Sequence, residues 1–394
     1  MKKLPRNVSV LGLVSFLTDL SSEMIIPVVL PLYMQALGVA LPLIGLVEGV
    51  AESASSLLKL ASGWFSDVIG KRKSLVGIGY LISSISKPLF ALAGVWWHFL
   101  GIRLLERTGK GIRTAPRDAL IAASVDEHSR GVSFGFHRAM DTAGAFLGLL
   151  SALLLVWVLK MEPEDFAPLF VIAFIPAIIA VIILFIFAHE KKPPVDNGDE
   201  PADGPVFSSQ YKLYILIVGL FTLGNSSDAF LAIRANEAGL SPPMVIGLML
   251  VMNAVYASLA TWFGGLSDRI GRRGILTVSF LIYAGVYFAL AFATKGWMLW
   301  PVFAIYGLYY ALSRGAMRAM VADLVIDRAR GKAYGFFNMV QGIVAVPSSV
   351  IMGALWEYLG MPYAFSFGAA LALIAALLLA LFIREPNHNG EKTN

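Results

Sequence analysis

The chain has 394 residues, of which 57% are apolar and 14% charged, with a net charge of +5. Soluble domains average about 45–50% apolar and about 25% charged, so composition excludes an ordinary water-soluble enzyme and a disordered chain. Cysteine is absent and the five histidines are scattered, which excludes disulfides and thiolate metal sites and leaves no metal-ligand spacing.

A helix crosses the roughly 30 Å hydrocarbon core with about 20 apolar residues. Twelve stretches qualify in chain order: 8–36, 42–68, 73–94, 96–122, 131–159, 166–188, 211–235, 242–267, 274–294, 297–323, 331–359 and 363–383. The weaker ten-residue alternation of a membrane barrel is not seen. The expected fold is therefore an all-α integral membrane protein. The basic start Met1-Lys2-Lys3 resembles a signal peptide, but Asp19 and Glu23 interrupt the apolar stretch and no small-residue cleavage site follows. It reads as a retained first span. Pro27 and Pro31 predict that this span is bent.

Positive charge sorts the connections. With the N-terminus inside, 18 Lys/Arg lie on the cytoplasmic side and two, Lys160 and Lys295, outside; the remaining 11 fall within spans. Both termini are expected in the cytoplasm, and the basic excess reads as an orientation signal, not a nucleic-acid surface. Short loops and absent cysteine suit a bacterial inner membrane.

The longest polar break covers 190–210 and opens with Glu190-Lys191-Lys192-Pro193-Pro194. It predicts a cytoplasmic linker between six-helix halves at 1–189 and 211–394. The halves repeat one another. Gly63-Trp-Phe-Ser-Asp67-Val-Ile-Gly70-Lys71-Arg72 returns as Gly264-Gly-Leu-Ser-Asp268-Arg-Ile-Gly271-Arg272-Arg273. Arg130-Gly131-x-x-Phe134-Gly135-Phe136 returns as Arg330-Gly331-x-x-Tyr334-Gly335-Phe336, and Ser21-Ser22-Glu23 as Ser226-Ser227-Asp228. Such internal repetition characterises secondary transporters.

The G-x-x-x-D-x-x-G-[RK]-[RK] element, present after spans two and eight, resembles the signature loop of the major facilitator superfamily. The resemblance extends over essentially the whole chain. It implies two pseudo-symmetric six-helix bundles and alternating access. It also implies that Asp67 and Asp268, with Lys71, Arg72, Arg272 and Arg273, latch helix ends at the inner face. Arg107-x-x-x-Gly111 is similar to the family's span-four arginine motif. Its span-five antiporter motif is incomplete: Gly144 and Gly148 are present without the proline. Those glycines are expected to permit close helix packing.

A charge in hydrocarbon costs about 2.5 kcal/mol or more unless it is paired or hydrated. Spans six, nine and twelve carry none and span three only Lys87, which fits the lipid-facing helices of the family's fold. Span four carries Arg103, Glu106, Arg107, Lys110, Arg113, Arg117 and Asp118, with Arg103, Arg107, Lys110 and Arg117 on one face. Span one adds Asp19 and Glu23, span two Glu48, Glu52 and Lys59, and span five His137, Arg138 and Asp141. In the second half Asp228, Arg234, Arg314, Arg318 and Asp323 are joined by the neutral polar candidates Asn225, Asn253, Asn338 and Gln341.

Three readings of these charges stand side by side. Arg107 and Lys110 hold the anionic group of a substrate, because guanidinium suits carboxylate or phosphate, and Arg103, Glu52, Asn225, Asn253, Asn338 and Gln341 complete the substrate-binding set. Alternatively the charges neutralise one another, eight basic against seven acidic in the first half. In a third reading Asp19, Glu23 and Glu52 form a cation site. Glu23, Asp19, Asp141, His137 and Asp228 are the proton-coupling candidates. Arg113, Arg117 and Asp118, near Pro116, are read as gating residues beside the Asp67 loop.

The expected function is a monomeric secondary transporter of a small, anionic organic solute or anionic chelate, driven by protons. The competing reading is a proton-coupled exporter of drugs or cationic compounds. A channel is disfavoured by the two latch loops. No nucleophile–base constellation points to an enzyme, and no cofactor or metal is expected. A sensor on the same fold would bind ligand without producing flux.

Overall fold

A computed structural model describes residues 5–69, 71–126, 129–190, 207–326 and 329–384. They form fourteen α-helices, with no strand among the described residues. In chain order these are α1 (Arg6–Ile25), α2 (Val29–Ala36), α3 (Leu41–Ile69), α4 (Arg72–Leu89), α5 (Trp96–Ala122), α6 (Arg130–Leu159) and α7 (Ala167–Phe187). There follow α8 (Ser209–Gly224), α9 (Ala229–Glu237), α10 (Pro242–Ile270), α11 (Arg272–Phe292), α12 (Leu299–Asp323), α13 (Arg330–Leu359) and α14 (Met361–Phe382).

Twelve spans result, because α1–α2 and α8–α9 are each one broken span. Ten of the twelve are long and apolar enough to cross a membrane. The other two, α5 and α12, have 27 and 25 residues but are too polar for that criterion. They are the fourth span of each half, where the sequence concentrates its arginines.

The first break, at Ile26–Val28, surrounds Pro27, which lacks the N–H needed to continue the helix. The second, at Asn225–Asp228, has no proline. Asn, Ser and Asp side chains compete there for backbone hydrogen bonds. Tyr283 Oη donates to the Gly224 carbonyl at 3.0 Å, so the opened backbone is satisfied by a side chain. By contrast, α5 runs through Pro116 unbroken.

The chain divides into two compact units, Met1–Asp199 with Ser227–Leu250, and Glu200–Ser226 with Val251–Asn394. In the first unit α1 packs on α6 and α7, α5 on α3 and α4, and α2 on α9. Val8, Leu11, Val14, Val76, Tyr80, Leu120 and Leu184 form a buried apolar core where α1, α4, α5 and α7 meet. Outward, Val171, Ile175, Ile179 and Ile182 on α7 are exposed, as a lipid-facing helix requires.

In the second unit α11 packs on α12 and α14, and α8 on α13 and α14. Its core is aromatic. Tyr283, Tyr287, Tyr306 and Tyr309 are buried and lie ring against ring, the Tyr283–Tyr287 centroids 4.2 Å apart. Such contacts contribute about 0.5–1.5 kcal/mol each beyond area burial.

The repeated signature elements are structured alike at their basic ends. The Glu190 carboxylate accepts the backbone N–H of Arg72 and of Lys73 at 3.0 and 2.9 Å, an anion at a helix N-terminus. Lys73 Nζ donates to the Phe185 carbonyl at the end of α7. In the second unit Arg273 donates to the Ile383 carbonyl, just past α14. Basic residues at the start of the third span of each half thus tie down the end of the sixth.

Candidate functional site

Charged side chains of the first unit line up along α5 and are met by α1, α3 and α6. Their pairing is graded. Arg103 is wholly buried. Its Nε and Nη2 donate to the Glu48 carboxylate at 2.9 and 2.8 Å, and its Nη1 donates to Glu106 at 2.6 Å. One turn on, Arg107 lies 3.5 Å from both Glu52 and Glu106, and its Nε has no hydrogen-bond partner. Glu52 keeps 47% of its side chain exposed. Lys110 stands in the field of Arg107, Asp19, Glu106 and Glu52 but makes no direct ion pair among the described residues.

The gradient matters because a charge-assisted hydrogen bond weakens steeply with distance. Arg103 has used its donors on two carboxylates. Arg107 and Lys110 have donors in reserve.

A second cluster lies where α1 meets α6. Gly144 and Gly148 let the α6 backbone touch α1: a side chain at either would strike the carbonyl of Phe16 or Leu20. This close approach sets Glu23 against Gly148 and brings the Asp19 and Asp141 charges into mutual range, with Lys110, Arg113 and Arg117 nearby. His137 Nδ1 is 3.5 Å from Asp141 Oδ1. Both His137 ring nitrogens and that Asp141 oxygen are buried without a hydrogen bond. Lys110 feels the charges of both Glu52 and Asp19.

The residues read as gating have partners inside their own units. Arg113 is buried against the Tyr80 ring, 4.3 Å from its centroid, and donates to Ser83. Arg117 donates to Asp118 at 2.9 Å and reaches Ser15 on α1. Arg72 Nη1 lies 3.4 Å from the Ala119 carbonyl, and Lys71 is exposed. In the second unit Arg272 pairs with Asp323. The side chains of Asp67 and Asp268 lie outside the described residues.

The neutral candidates are spread over three elements. Asn225 occupies the break between α8 and α9, Asn253 is on α10, and Asn338 and Gln341 share a face of α13; each is partly exposed. Asp228 closes the same break and precedes α9.

Lys87 is a partner that sequence reasoning left at the lipid boundary. It is wholly buried and donates to Ser21 on α1, whose hydroxyl donates in turn to the Ala173 carbonyl on α7.

Comparison with known proteins agrees with this architecture. The family model described as Major Facilitator Superfamily matches residues 11–308 and 214–394. An uncharacterized MFS-type transporter of Methanocaldococcus jannaschii is 39% identical over 389 residues, covering 97% of this chain and 96% of that protein. A proton-coupled antiporter flippase, LtaA of Staphylococcus saprophyticus, is 22% identical over 99% of this chain and 97% of its own length. Among solved structures, a bacterial homologue of the human lysosomal transporter Spinster, inward-facing and occupied, superposes with a TM-score of 0.76. It is 16% identical, with 96% of this chain and 95% of that one covered.

Proposed function

This chain belongs to the major facilitator superfamily of multi-pass membrane transporters, and we propose that it moves a small anionic organic solute, or an anionic chelate, by alternating access coupled to protons. The observation that carries this reading is the graded pairing along α5. Arg103 is bound at 2.6–2.9 Å, Arg107 is held at 3.5 Å and Lys110 has no direct partner among the described residues. The substrate's anionic group binds Arg107 and Lys110. Arg103 positions Glu48 and Glu106 behind them.

Coupling follows from charge balance. Arg103, Arg107 and Lys110 face Glu48, Glu52 and Glu106, so the empty cluster is neutral. An anion entering beside Arg107 displaces Glu52 and leaves a net negative charge, which one proton on Glu52 restores to zero. Binding of anion and proton is then mutually favourable, and by linkage each strengthens the other. Asp19, Glu23, His137, Asp141 and Asp228 supply the route and the store for that proton. Asn225, Asn253, Asn338 and Gln341 offer hydrogen bonds to the neutral part of the solute. The protein works as a monomer in a bacterial inner membrane, with both termini in the cytoplasm.

The competing reading, proton-coupled export of drugs or cationic compounds, draws on the half-exposed Glu52 carboxylate. Asp19, Glu23 and Glu52 would then bind the cation.

The test is a thermal-shift screen of organic anions and cations on the purified full-length protein, followed by uptake into vesicles at imposed pH gradients. Anions are expected to stabilise the protein. Arg107→Lys should weaken that binding tenfold or more, since one bidentate charge-assisted contact contributes about 1.5–3 kcal/mol, while the variant still folds. Unchanged anion affinity in Arg107→Lys removes the anion site. Stabilisation by cations alone selects the exporter.

A further inference from the structure

Lys87 on α4 is completely buried and holds a single hydrogen bond among the described residues. It donates to Ser21 on α1, whose only hydroxyl proton is already given to the Ala173 carbonyl on α7. An ammonium carries three N–H donors, so a charged Lys87 would leave two of them without acceptors. Nor does Lys87 make an ion pair among the described residues. A buried charge without a partner is among the costliest groups a fold can carry.

The second half makes the same contact without a charge. Ser21 returns there as Ser226, and Ser226 is again held from the third span of its half: its hydroxyl lies 3.2 Å from that of Tyr287 on α11, a phenol as buried as Lys87. A neutral group therefore suffices to join first span to third, and the amine of Lys87 is free to serve another purpose. Without Lys87, the spans of the first half carry seven basic and seven acidic residues, so an uncharged Lys87 leaves them balanced. Glu106 and Arg113 on α5 and Asp19 and Glu23 on α1 act on Lys87 at longer range. α7 carries no ionisable side chain. α3 brings Lys59 together with Glu48 and Glu52, which are paired with Arg103 and Arg107, and Arg72 and Lys73 stand at the opposite end of α4.

We propose that Lys87 is an uncharged amine in this conformer and binds a proton during the transport cycle, as a proton-binding residue additional to the carboxylates of α1 and α3. The proton adds to the Nζ lone pair and turns the amine into an ammonium; no other bond is made or broken. In a conformer that admits water to Nζ, all three donors find acceptors and the ammonium is the stable form. Protonation and the change of conformer then favour each other by linkage. The inference rests on the proton-coupled reading and adds to it a basic residue that holds the proton.

Nitrogen NMR of the full chain, labelled at lysine Nζ and held in nanodiscs, reads the charge state directly, because amine and ammonium nitrogens resonate apart. An amine signal is expected in the parent protein at neutral pH. It should be absent from Lys87→Gln and Lys87→Met, and give way to an ammonium signal as the pH is lowered. Ammonium signals alone, an amine signal that persists in both variants, or one that no acidification short of unfolding converts, each overturn the proposal. The role in the cycle is read without any solute. Gln35 and Glu237 meet across α2 and α9, and bismaleimide crosslinking of Gln35→Cys with Glu237→Cys reports whether that contact is closed. Single-cysteine variants correct for thiol reactivity. Over the titration of the amine signal the yield is expected to change about twofold or more as two populations exchange, and Lys87→Gln, or Lys87→Met, should flatten the change. A flat profile with Lys87 in place, or an unaltered profile without it, overturns the role. The proton-coupled reading fails separately, if vesicles show no pH-driven accumulation.

Discussion

Arg103 and Glu48 meet through two parallel hydrogen bonds, at 2.9 and 2.8 Å, and the arginine is wholly buried between α5 and α3. A forked pair of this kind fixes the rotation of α5 against α3 and so decides which residues of α5 stay available. Removing one partner leaves a buried charge short of compensation, which costs about 3–5 kcal/mol. Glu48→Leu is therefore expected to lower the melting temperature sharply in detergent. Adding Arg103→Met should return part of the loss, because two apolar groups replace two charges. A Glu48→Leu protein that melts like the parent would show that the pair does not hold the helices.

The contact of α6 with α1 makes a separate demand. At Gly148 a side chain would meet the Leu20 carbonyl and the Glu23 Cβ, and neither the backbone nor the glutamate stem can retreat cheaply. Gly148→Leu should cost about 1–3 kcal/mol by overpacking. It should also push Asp141 away from Asp19, so proton-driven accumulation is expected to fall further than counterflow. Thermal unfolding and the two transport assays together check this. Parent-like values in all three would mean that α6 can withdraw from α1 without consequence.

Spans and repeats were legible because they depend on hydropathy and on exact residue types, which a single sequence displays. The polar character of α5 and α12 was visible in the same way. Pairing was not legible. A count of eight basic and seven acidic residues cannot tell that Arg103 takes two carboxylates while Lys110 takes none, since that depends on helix rotation and on approach distances set by residues such as Gly148. The break at Asn225–Asp228 carries no proline to announce it and arises from an Asn-Ser-Ser-Asp run. Its recurrence beside Ser21-Ser22-Glu23 was the available signal. Lys87 shows the same limit: a lone lysine in an apolar span reads as peripheral, and only the packing of α4 on α5 and α7 buries it against Ser21.

Gln35 on α2 donates to Glu237 on α9 at 3.2 Å, joining the second segments of the two broken spans within one compact unit. If the six-helix halves expected at 1–189 and 211–394 move against each other, this contact opens and closes in each cycle. The chain contains no cysteine, so Gln35→Cys with Glu237→Cys places a unique thiol pair there. Crosslinking with a short bismaleimide is expected to abolish counterflow, and the two single variants to retain it after the same treatment. A crosslinked double variant that still exchanges substrate would show that α2 and α9 stay together throughout the cycle.

Glu23 offers the most direct test of coupling. It stands on α1 where Gly148 closes the contact with α6, three residues before the break in span one. Its counterpart in the repeat, Asp228, stands at the break in span seven. An acid thus recurs at the point where each span loses its helical continuity, and discontinuous helices are where transporters build ion and substrate sites. Glu23→Gln keeps the shape and most hydrogen bonds while removing the exchangeable proton. Accumulation driven by an imposed pH gradient is expected to disappear. Counterflow, which exchanges labelled for unlabelled solute with no net proton movement, is expected to continue. The ratio of the two, measured on the same vesicles, separates loss of coupling from loss of binding, because a binding defect lowers both together. Intact gradient-driven accumulation would clear Glu23 of the role and move it to Asp19 or Asp141, which feel each other's charge.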